Sequence, residues 1–402
     1  MTERLYYTDS FLHEFEARVV AVSGEAVTLD RSAFYPTSGG QVFDTGWLVG
    51  IGSLRVRVKD VTENESTADV LHIVEGGALA LTPGSVVRGT IDAERRLDHM
   101  QQHSGQHLLS AAFEKLDRFA TVSFHMGEES CTIDLATGAL TAKQLEAAEV
   151  LANHIIAEDR PVQIRFATAD EARAMGVRKI PPALRGKLRL IDVLDFDLNA
   201  CGGTHVRSTG QIGSILLRKT EKVRQGIRLE FVCGLRAVRT ARRDFATLSE
   251  AAAVFSTHIW EVPQQLRKSL DEIKSAQKAQ HRLLEEVADL QAREMLQSAE
   301  DRGGQNLLVQ FFPDRDLPYI KLLAQKLTKN RRAVALLGCG GSRPSLVFAQ
   351  APGLANDLGA LMKQAVQQLG TRGGGNRDMA QGGAPDSAGA KQALQQAASA
   401  IG

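Results

Sequence analysis

The sequence has few cysteines and no long apolar segment, and each absence excludes a class of protein. Its 402 residues contain four cysteines without even spacing, so a secreted disulfide scaffold is excluded and reduced thiols are expected. The N-terminus lacks the apolar core of a signal peptide, and no apolar run approaches the roughly 18 residues that a membrane span needs. We therefore expect a soluble cytoplasmic protein without a membrane partner.

The sequence also lacks a net charge of either sign. Its 48 Lys and Arg residues nearly balance its 47 Asp and Glu residues, so any attraction to a polyanion has to be local. Apolar residues make up 43% of the chain, which is enough to bury hydrophobic cores. At roughly 100–200 residues per domain, the length predicts a globular protein of about two to four domains.

The residue patterns predict an α+β multidomain fold. β-Forming segments such as 17–23 and 54–59, separated by Gly, Asp and Pro, predict an N-terminal β-barrel over residues 1–90. From Ala93 the apolar residues recur at helical spacing, and strand and loop patterns follow. This change predicts a separate α+β core over residues 91–240.

The remaining sequence predicts two further parts. Residues 241–300 favour helix, and their apolar residues hold a heptad register that Gln277 and Gln280 interrupt. This pattern predicts a helical hairpin or connector. Alternating strand and helix patterns over 301–402, with a glycine-rich stretch at 373–383, predict a C-terminal α/β domain. The connector and this last domain are the candidate contacts of a homodimer.

A candidate metal site combines two distant segments. His99, His103 and His107 are spaced four residues apart within one predicted helix, where a step of four turns by only about 40°. Far downstream, Cys201-Gly-Gly-Thr-His205 places a sulfur and an imidazole around a glycine turn. His103, His107, Cys201 and His205 together offer three nitrogen donors and one sulfur. This set suits one Zn²⁺ ion per chain.

The two segments predict a metal site more strongly together than either does alone. A His pair four residues apart is more often part of a helix surface, but packing does not explain both halves at once. His99 either replaces His107 as a ligand or only lies nearby, and we rank it below His103 and His107. Four protein ligands are typical of structural zinc, whereas catalytic zinc keeps an open position, so the sequence leaves the role of the ion undecided.

Basic residues are concentrated on both sides of the Cys-Gly-Gly-Thr-His segment. Between residues 178 and 243 the sequence has 15 Lys or Arg and 5 Asp or Glu residues. A basic run alone is more often a solvated surface, but its place around a metal-ligand motif favours a phosphate-rich ligand. The candidate binding residues are Arg178, Lys179, Arg185, Lys187, Arg218, Lys219, Arg224 and Arg228.

These motifs resemble the editing domain of alanyl-tRNA synthetase and its free-standing relatives, the AlaX proteins. The matching segments are His103-Ser-Gly-Gln-His107-Leu-Leu, Cys201-Gly-Gly-Thr-His205 and Gly226-Ile-Arg-Leu-Glu230. The segment from Phe34, with Gly39, Gly40 and Gln41, resembles the glycine motif of the barrel that precedes this domain. The C-terminal glycine stretch resembles the DHH-associated domain. The resemblance covers essentially the whole chain, in the family's order.

The resemblance implies a large AlaX-type protein that edits in trans. The implied reaction is zinc-assisted hydrolysis of the ester of mischarged Ser-tRNA(Ala), with Gly-tRNA(Ala) as a second substrate and the basic residues binding the tRNA. The sequence begins at the barrel and contains no Gly-Lys-Ser/Thr phosphate loop, so we expect no aminoacylation activity. No protein general base is assigned.

Rejection of alanine requires a group that hydrogen-bonds the serine hydroxyl, because that group is left unpaired when alanine enters. The candidates are Thr121, Ser123 and His125, in a segment where the synthetase pattern carries a Gln. The alternative is that Thr121 and Ser123 are ordinary strand residues.

Other functions remain open at this point. The chain is alternatively a deacylase for another mischarged tRNA, such as Ser-tRNA(Thr), or a non-catalytic tRNA-binding protein with a structural zinc. A zinc hydrolase of small esters fits poorly with the local basic excess and the additional domains.

Overall fold

The computed structural model describes residues 1–50, 55–76, 81–177 and 187–401, which form two compact units, Met1–Glu250 and Ala251–Gly402. These described residues contain 21 strands and eight α-helices. The predicted α+β multidomain class is confirmed, and so is an N-terminal closed barrel. The boundaries of the four predicted parts stay a prediction.

The first unit begins with a barrel of six antiparallel strands, closed in the order β2-β3-β7-β6-β5-β8. Side chains alternate between its inside and outside because successive residues of a strand point to opposite faces. Two further short strands, β1 and β4, pair in parallel. The strands are β1 (Glu3–Arg4), β2 (Glu14–Ser23), β3 (Ala26–Leu29), β4 (Arg31–Ser32), β5 (Gly46–Val49), β6 (Arg55–Glu63), β7 (Val70–Val74) and β8 (Val86–Ile91).

The rest of the first unit contains two smaller antiparallel sheets. Its elements are α1 (Ala93–Asp117), β9 (Thr121–Met126), β10 (Cys131–Leu135), α2 (Ala142–Ala157), β11 (Val162–Ala167), α3 (Ala169–Ala174), β12 (Leu188–Val193), β13 (Asp197–Ala200), β14 (Ile215–Val223), β15 (Gly226–Cys233) and α4 (Gly234–Val254). One sheet has the order β14-β15-β10-β9 and the other β11-β12-β13. Helices α1 and α2 pack on the first sheet through a core that includes Leu108, Phe113, Ile133 and Phe231.

A buried ion pair fixes α1 against the segment that contains the glycine motif. Nε of Arg96 lies 3.1 Å from both carboxylate oxygens of Asp44, and neither side chain is exposed. The same guanidinium donates to the carbonyl oxygens of Ser10, at 2.7 Å, and Ala33, at 2.6 Å. Because burying a charge without partners is costly, these contacts fix the position of α1 relative to residues 33–44.

The second unit is a six-stranded sheet with helices on both faces. Its strand order is β16-β17-β18-β19-β21-β20, and only the β17–β18 pair is parallel. Successive residues of β18 enter separate cores, one shared with α5 and α6 and the other with α7 and α8. The elements are α5 (Val262–Gln297), β16 (Glu300–Arg302), β17 (Gln305–Phe312), α6 (Leu317–Leu327), β18 (Ala333–Cys339), β19 (Ser345–Gln350), α7 (Leu358–Gln368), β20 (Gly373–Gly375), β21 (Met379–Gly383) and α8 (Ser387–Ser399).

Two features of this unit differ from the sequence pattern. The glycine-rich stretch forms the hairpin β20–β21 at one edge of the sheet, and α7 packs on it. The end of the region predicted as a connector belongs to the core of this unit, since Ala288 and Ala292 of α5 are buried against α6. Although α5 has 36 residues, neither it nor any other helix in the described part of the chain is apolar enough to cross a membrane.

Candidate metal centre

His103, His107, Cys201 and His205 converge on one point in the first unit. One donor atom from each side chain lies within 4.8 Å of all the others. The three imidazole rings are adjacent, with centroid distances of 5.3 Å between His103 and His107, 4.6 Å between His103 and His205 and 4.7 Å between His107 and His205. The three histidines are buried and Cys201 is partly buried. These four residues can hold a metal ion.

The spacing of the donors fits a tetrahedral ion. With Zn–N about 2.0 Å and Zn–S about 2.3 Å, a sulfur and a nitrogen of one tetrahedral site lie about 3.5 Å apart. Sγ of Cys201 lies 3.4 Å from Nε2 of His103 and 3.3 Å from Nε2 of His205. The set of one thiolate and three imidazoles also matches the ligands that zinc takes in proteins.

The Cys-Gly-Gly-Thr-His turn is shaped to fit against α1. A Cβ at Gly203 would lie 2.1 Å from Cε1 of His103, so only glycine leaves room for that ring. The buried Arg189 braces the turn: its Nη1 donates to the carbonyl oxygens of Cys201, at 2.7 Å, and Gly203, at 2.9 Å. Arg189 belongs to the basic run of the sequence, but its role here is to hold the turn that carries two of the ligands.

The electrostatics of Cys201 and His205, though not of His107, favour the protonation states that bind metal. Burial raises the pKa of the Cys201 thiol, but interactions with the neighbouring histidines, His103 and His205 first, outweigh it and hold that pKa well below its ordinary value. Burial lowers the pKa of His205 to about 3. The lowered pKa of Cys201 favours its thiolate, and the lowered pKa of His205 keeps that imidazole uncharged at neutral pH; these are the forms in which the two residues coordinate metals.

Oxygen atoms behind the cluster orient the rings. Nδ1 of His103 lies 2.6 Å from Oε1 of Gln41, and Nδ1 of His205 lies 3.1 Å from Oγ of Ser104. Proton donation from each Nδ1 leaves Nε2 with a free lone pair on the side of Cys201. The candidate glycine-motif residue Gln41 thus reaches the metal centre directly, and it also accepts a hydrogen bond from the backbone N–H of Thr204 at 3.1 Å.

His107 has a carboxylate as its neighbour. Nδ1 of His107 lies 3.7 Å from Oδ2 of Asp197, the first residue of β13. Burial lowers the pKa of His107, but the Asp197 carboxylate and the Cys201 sulfur outweigh it and raise this pKa to about 9. A carboxylate beside a metal-binding imidazole strengthens its basicity and fixes its orientation.

The structure separates His99 from this cluster. His99 lies one helical turn before His103, and it is not among the four residues whose donor atoms converge. Its ring is buried, and burial lowers its pKa to about 4. His99 instead lines a neighbouring cavity together with Phe43 and His125.

The three candidates for serine recognition do not lie together. Oγ1 of Thr121 donates to Oγ of Ser110 at 2.7 Å, on the side of the sheet that packs against α1. Ser123 pairs with Asp134 across the sheet and donates to its carboxylate at 2.7 Å on the exposed face. His125 is exposed as well. Of the three, Thr121 is the one that contacts the helix bearing His103 and His107.

The residue of β9 that reaches the cluster is Phe124. Its ring centroid lies 5.5 Å from that of His103, and Gly40, whose φ is +85°, packs against its backbone. A Cβ at Gly40 would lie 2.5 Å from the Phe124 carbonyl oxygen, so the glycine motif needs glycine there. Because side chains alternate along a strand, the sequence predicts that Phe124 and Ser123 lie on opposite faces of the sheet. It does not predict which of the two faces packs against α1.

Most of the candidate basic residues in the described part of the chain have acidic partners. Nε of Arg228 lies 2.7 Å from Oδ1 of Asp134. Arg218 pairs with Asp244, and Nζ of Lys219 lies 3.5 Å from Oε2 of Glu230. Arg224 and Lys187 are exposed, and no ion pair of Arg224 occurs with the described residues. Arg178, Lys179 and Arg185 lie outside the described residues.

Two family models match parts of the chain. The model described as threonyl and alanyl tRNA synthetase second additional domain matches residues 188–229, which include Cys201 and His205. The model described as tRNA synthetases class II (A) matches residues 6–95, which include the glycine motif and most of the barrel.

Relatives resemble the chain over nearly all of its length. It is 32% identical to the alanine–tRNA ligase of Archaeoglobus fulgidus over 95% of this chain and 42% of the ligase. It is 32% identical to the Pyrococcus abyssi ligase over 98% of this chain and 43% of the ligase. It is 33% identical to the Methanoregula boonei ligase over 96% of this chain and 42% of the ligase. The chain therefore spans about two fifths of the length of these relatives.

A solved structure, the C-Ala domain from Aquifex aeolicus alanyl-tRNA synthetase, matches 26% of this chain and 96% of its own at 18% identity, with a TM-score of 0.24 that is too low to indicate a shared fold. The sequence comparisons are more informative. The chain thus contains alanyl-tRNA synthetase-family domains and is about 32% identical to archaeal alanine–tRNA ligases over most of its length.

Proposed function

We propose that this chain is an aminoacyl-tRNA deacylase of the AlaX type, which hydrolyses the ester of Ser-tRNA(Ala) and, as a second substrate, Gly-tRNA(Ala). The observation that carries the proposal is the convergence of His103, His107, Cys201 and His205. The match of residues 188–229 to a domain of threonyl and alanyl tRNA synthetases supports it. The relatives are full ligases, so a hydrolase without aminoacylation activity is part of the proposal.

The four residues fit one Zn²⁺ by their donor chemistry and spacing. A bound zinc ion would supply a Lewis acid that orients water or anchors the aminoacyl end of the substrate. An aminoacyl ester is already activated towards hydrolysis, so the protein mainly has to position the ester and the attacking water and stabilise the oxyanion that forms. Gln41 and Ser104 hold the rings of His103 and His205 in place from behind, and the Asp197 carboxylate lies beside His107.

Thr121 is the best supported reader of the serine hydroxyl. Oγ of the buried Ser110 accepts hydrogen bonds from Thr121, at 2.7 Å, and from Nε2 of Gln106, at 2.8 Å. Ser110 lies three residues after His107 and therefore on the same side of α1. The oxygen of Thr121 keeps acceptor capacity for a substrate hydroxyl, which alanine does not have.

The tRNA itself is the proposed partner of the basic residues. Arg224 and Lys187 are exposed, and Arg218, Lys219 and Arg228 would contribute within their ion pairs. Phosphate contacts of this kind position an RNA without reading its sequence. Arg178, Lys179 and Arg185 remain candidates from the sequence alone.

The test is release of serine from Ser-tRNA(Ala), with Ala-tRNA(Ala) and Ser-tRNA(Thr) as comparison substrates. We expect fast release from Ser-tRNA(Ala) and slow release from Ala-tRNA(Ala). Cys201→Ala is expected to lose zinc and deacylation together, whereas Cys339→Ala, which removes a buried cysteine of the second unit, keeps both. Full activity of a zinc-free Cys201→Ala protein would show that the metal is not needed for the reaction and has only a structural role.

Two alternatives predict other results in the same assay. A deacylase for another tRNA would release serine faster from Ser-tRNA(Thr). A non-catalytic tRNA-binding protein would bind tRNA and release no amino acid from any substrate. An ATP-dependent charging assay with alanine tests the remaining part of the proposal, and formation of Ala-tRNA(Ala) would contradict it.

A further inference from the structure

A cavity of about 880 Å³ lies beside the metal centre, and the proposed reaction does not use it. It is lined by α1, the segment after the glycine motif, the end of β9 and the start of α4, all in the first unit. The lining residues that matter here are Val42, Phe43, Arg95, His99, His125 and Leu235.

One layer of chain separates this cavity from the metal centre. Gln41 and Phe124 contact His103, and the residues that follow them, Val42 and His125, line the cavity. On α1, His99 precedes His103 by four residues, which is about 6 Å along the helix axis. The cavity therefore lies next to the metal centre, within about one helical turn of α1.

His99, in the wall of the cavity, has a buried nitrogen without a partner among the described residues. The residue is buried, and Nδ1 has no hydrogen-bond partner within the described ranges. Buried polar groups in folded proteins almost always have a partner. An imidazole nitrogen donates or accepts according to the tautomer, so Nδ1 can pair with a ligand group of either kind.

The other walls favour a flat, uncharged ligand. The guanidinium of Arg95 lies 5.1 Å from the centre of the Phe43 ring and is fixed by a 3.0 Å hydrogen bond to the Phe43 carbonyl oxygen. Arg236 at the floor is neutralised by Asp98, since its Nη2 lies 2.6 Å from the carboxylate. The remaining charged side chains of the lining include both signs, so the cavity does not select an anion.

We propose that this cavity binds one nucleobase of single-stranded RNA, the base next to the terminal nucleotide whose ester lies at the metal centre. Bases that leave a stack are commonly held by aromatic and guanidinium planes and by hydrogen bonds to their edges. Phe43, Arg95 and His125 supply the planes, and His99 supplies the edge. The inference rests on the proposed function and adds to it the place of the second nucleotide.

The experiment compares two uncharged RNA hairpins with the acceptor-stem sequence and a single-stranded 3′ end. One hairpin is intact, and the other has an abasic residue in place of the penultimate nucleotide. Binding to the zinc-loaded full chain is measured by fluorescence anisotropy. Because each stacked base commonly contributes on the order of 5-fold or more to affinity, the abasic RNA is expected to bind at least about 5-fold more weakly.

Two exposed positions of α4 give a matched pair of variants. Leu235 is 57% exposed and lines the cavity, whereas Val238 is 59% exposed and does not. Leu235→Trp is expected to fill the mouth of the cavity and to make both RNAs bind equally weakly. Val238→Trp is expected to keep the difference between them. His99→Phe, a variant of similar size without ring nitrogens, is expected to weaken binding of the intact RNA only.

The outcomes separate this inference from the proposed function. Equal affinity of the original protein for both RNAs, or a full difference that persists in Leu235→Trp, would overturn the cavity as a base site. If such a protein still releases serine from Ser-tRNA(Ala), the proposed function stands alone. If neither RNA binds and serine is not released from Ser-tRNA(Ala), both proposals fail together.

Discussion

Buried histidines serve two different purposes in the first unit. His72 in the barrel strand β7 is fully buried, with Nδ1 2.9 Å from the Val27 carbonyl oxygen and Nε2 2.7 Å from Oγ of Ser32. In the metal centre, His103 and His205 place only Nδ1 on a protein oxygen and direct Nε2 toward Cys201. A buried histidine with both nitrogens held by protein oxygens is part of the core, whereas one with a nitrogen aimed at a shared point is a candidate metal ligand.

The largest expected effect separates these two kinds of histidine by metal content. His205→Ala is expected to lose metal almost completely. Substituting a residue that hydrogen-bonds a ligand typically lowers metal affinity by roughly 10–100-fold, and removing the ligand itself lowers it further. His72→Gln is expected to keep one ion per chain. Zinc content after dialysis against a weak chelator measures both. Equal retention of zinc in the two variants would contradict the distinction.

A second prediction concerns the residues behind the ligands. Gln41→Ala removes the oxygen that holds Nδ1 of His103, so the affinity for zinc is expected to fall by about 10–100-fold. Ser38→Ala changes an exposed side chain of the same loop and serves as the control. Competition with a chromophoric chelator gives both affinities, and an unchanged affinity in Gln41→Ala would remove Gln41 from the account of the site.

A third prediction tests the core role of His72 through pH. Burial lowers the pKa of His72 to about 4, so the unfolded chain, with an ordinary pKa of 6.5, binds a proton that the folded chain does not. The stabilisation is fully present above about pH 6.5 and is lost as pH falls toward 4, up to about 3 kcal/mol.

Amide hydrogen exchange of β3 and β7 between pH 7.5 and 5 follows this loss. The His72→Gln variant is the matched control, since it has no group that titrates there, and loss of metal at low pH affects both proteins alike. An identical pH dependence of the two proteins would show that His72 does not carry the effect.

The smallest expected effect compares two arginines on the surface. Arg224 has no ion pair among the described residues, whereas the guanidinium of Arg228 is held by Asp134. If the surface binds RNA, Arg224→Ala is expected to reduce the slope of log affinity against log salt concentration by about the amount that one phosphate contact contributes. Arg228→Ala is expected to reduce this slope by less. Anisotropy titrations over a range of salt concentrations measure both slopes, and equal slopes would remove the distinction.

The parts that the sequence predicted are those with a local or chemical signature. The four candidate metal ligands could be recognised because a His pair on a helix and a Cys–His pair around two glycines have no joint explanation as packing. The barrel, α1 and the strands of the second unit have regular side-chain spacing, which depends only on neighbouring residues.

The remaining features depend on contacts between distant residues. Gln41 and His103 are 62 residues apart, and nothing in either segment indicates their hydrogen bond. The face of β9 that meets α1 is set by its pairing with β10, where the register shifts between Asp134 and Leu135. The sequence therefore suggested Thr121, Ser123 and His125 without showing that Phe124 is the residue beside the cluster.

The most direct test of the central claim is X-ray absorption spectroscopy at the zinc edge on the purified full chain, combined with metal analysis. The account predicts one zinc per chain with one sulfur ligand at about 2.3 Å and nitrogen ligands at about 2.0 Å, and loss of the sulfur signal in Cys201→Ser. A chain without stoichiometric metal after growth in zinc, or a zinc shell without sulfur, would contradict it.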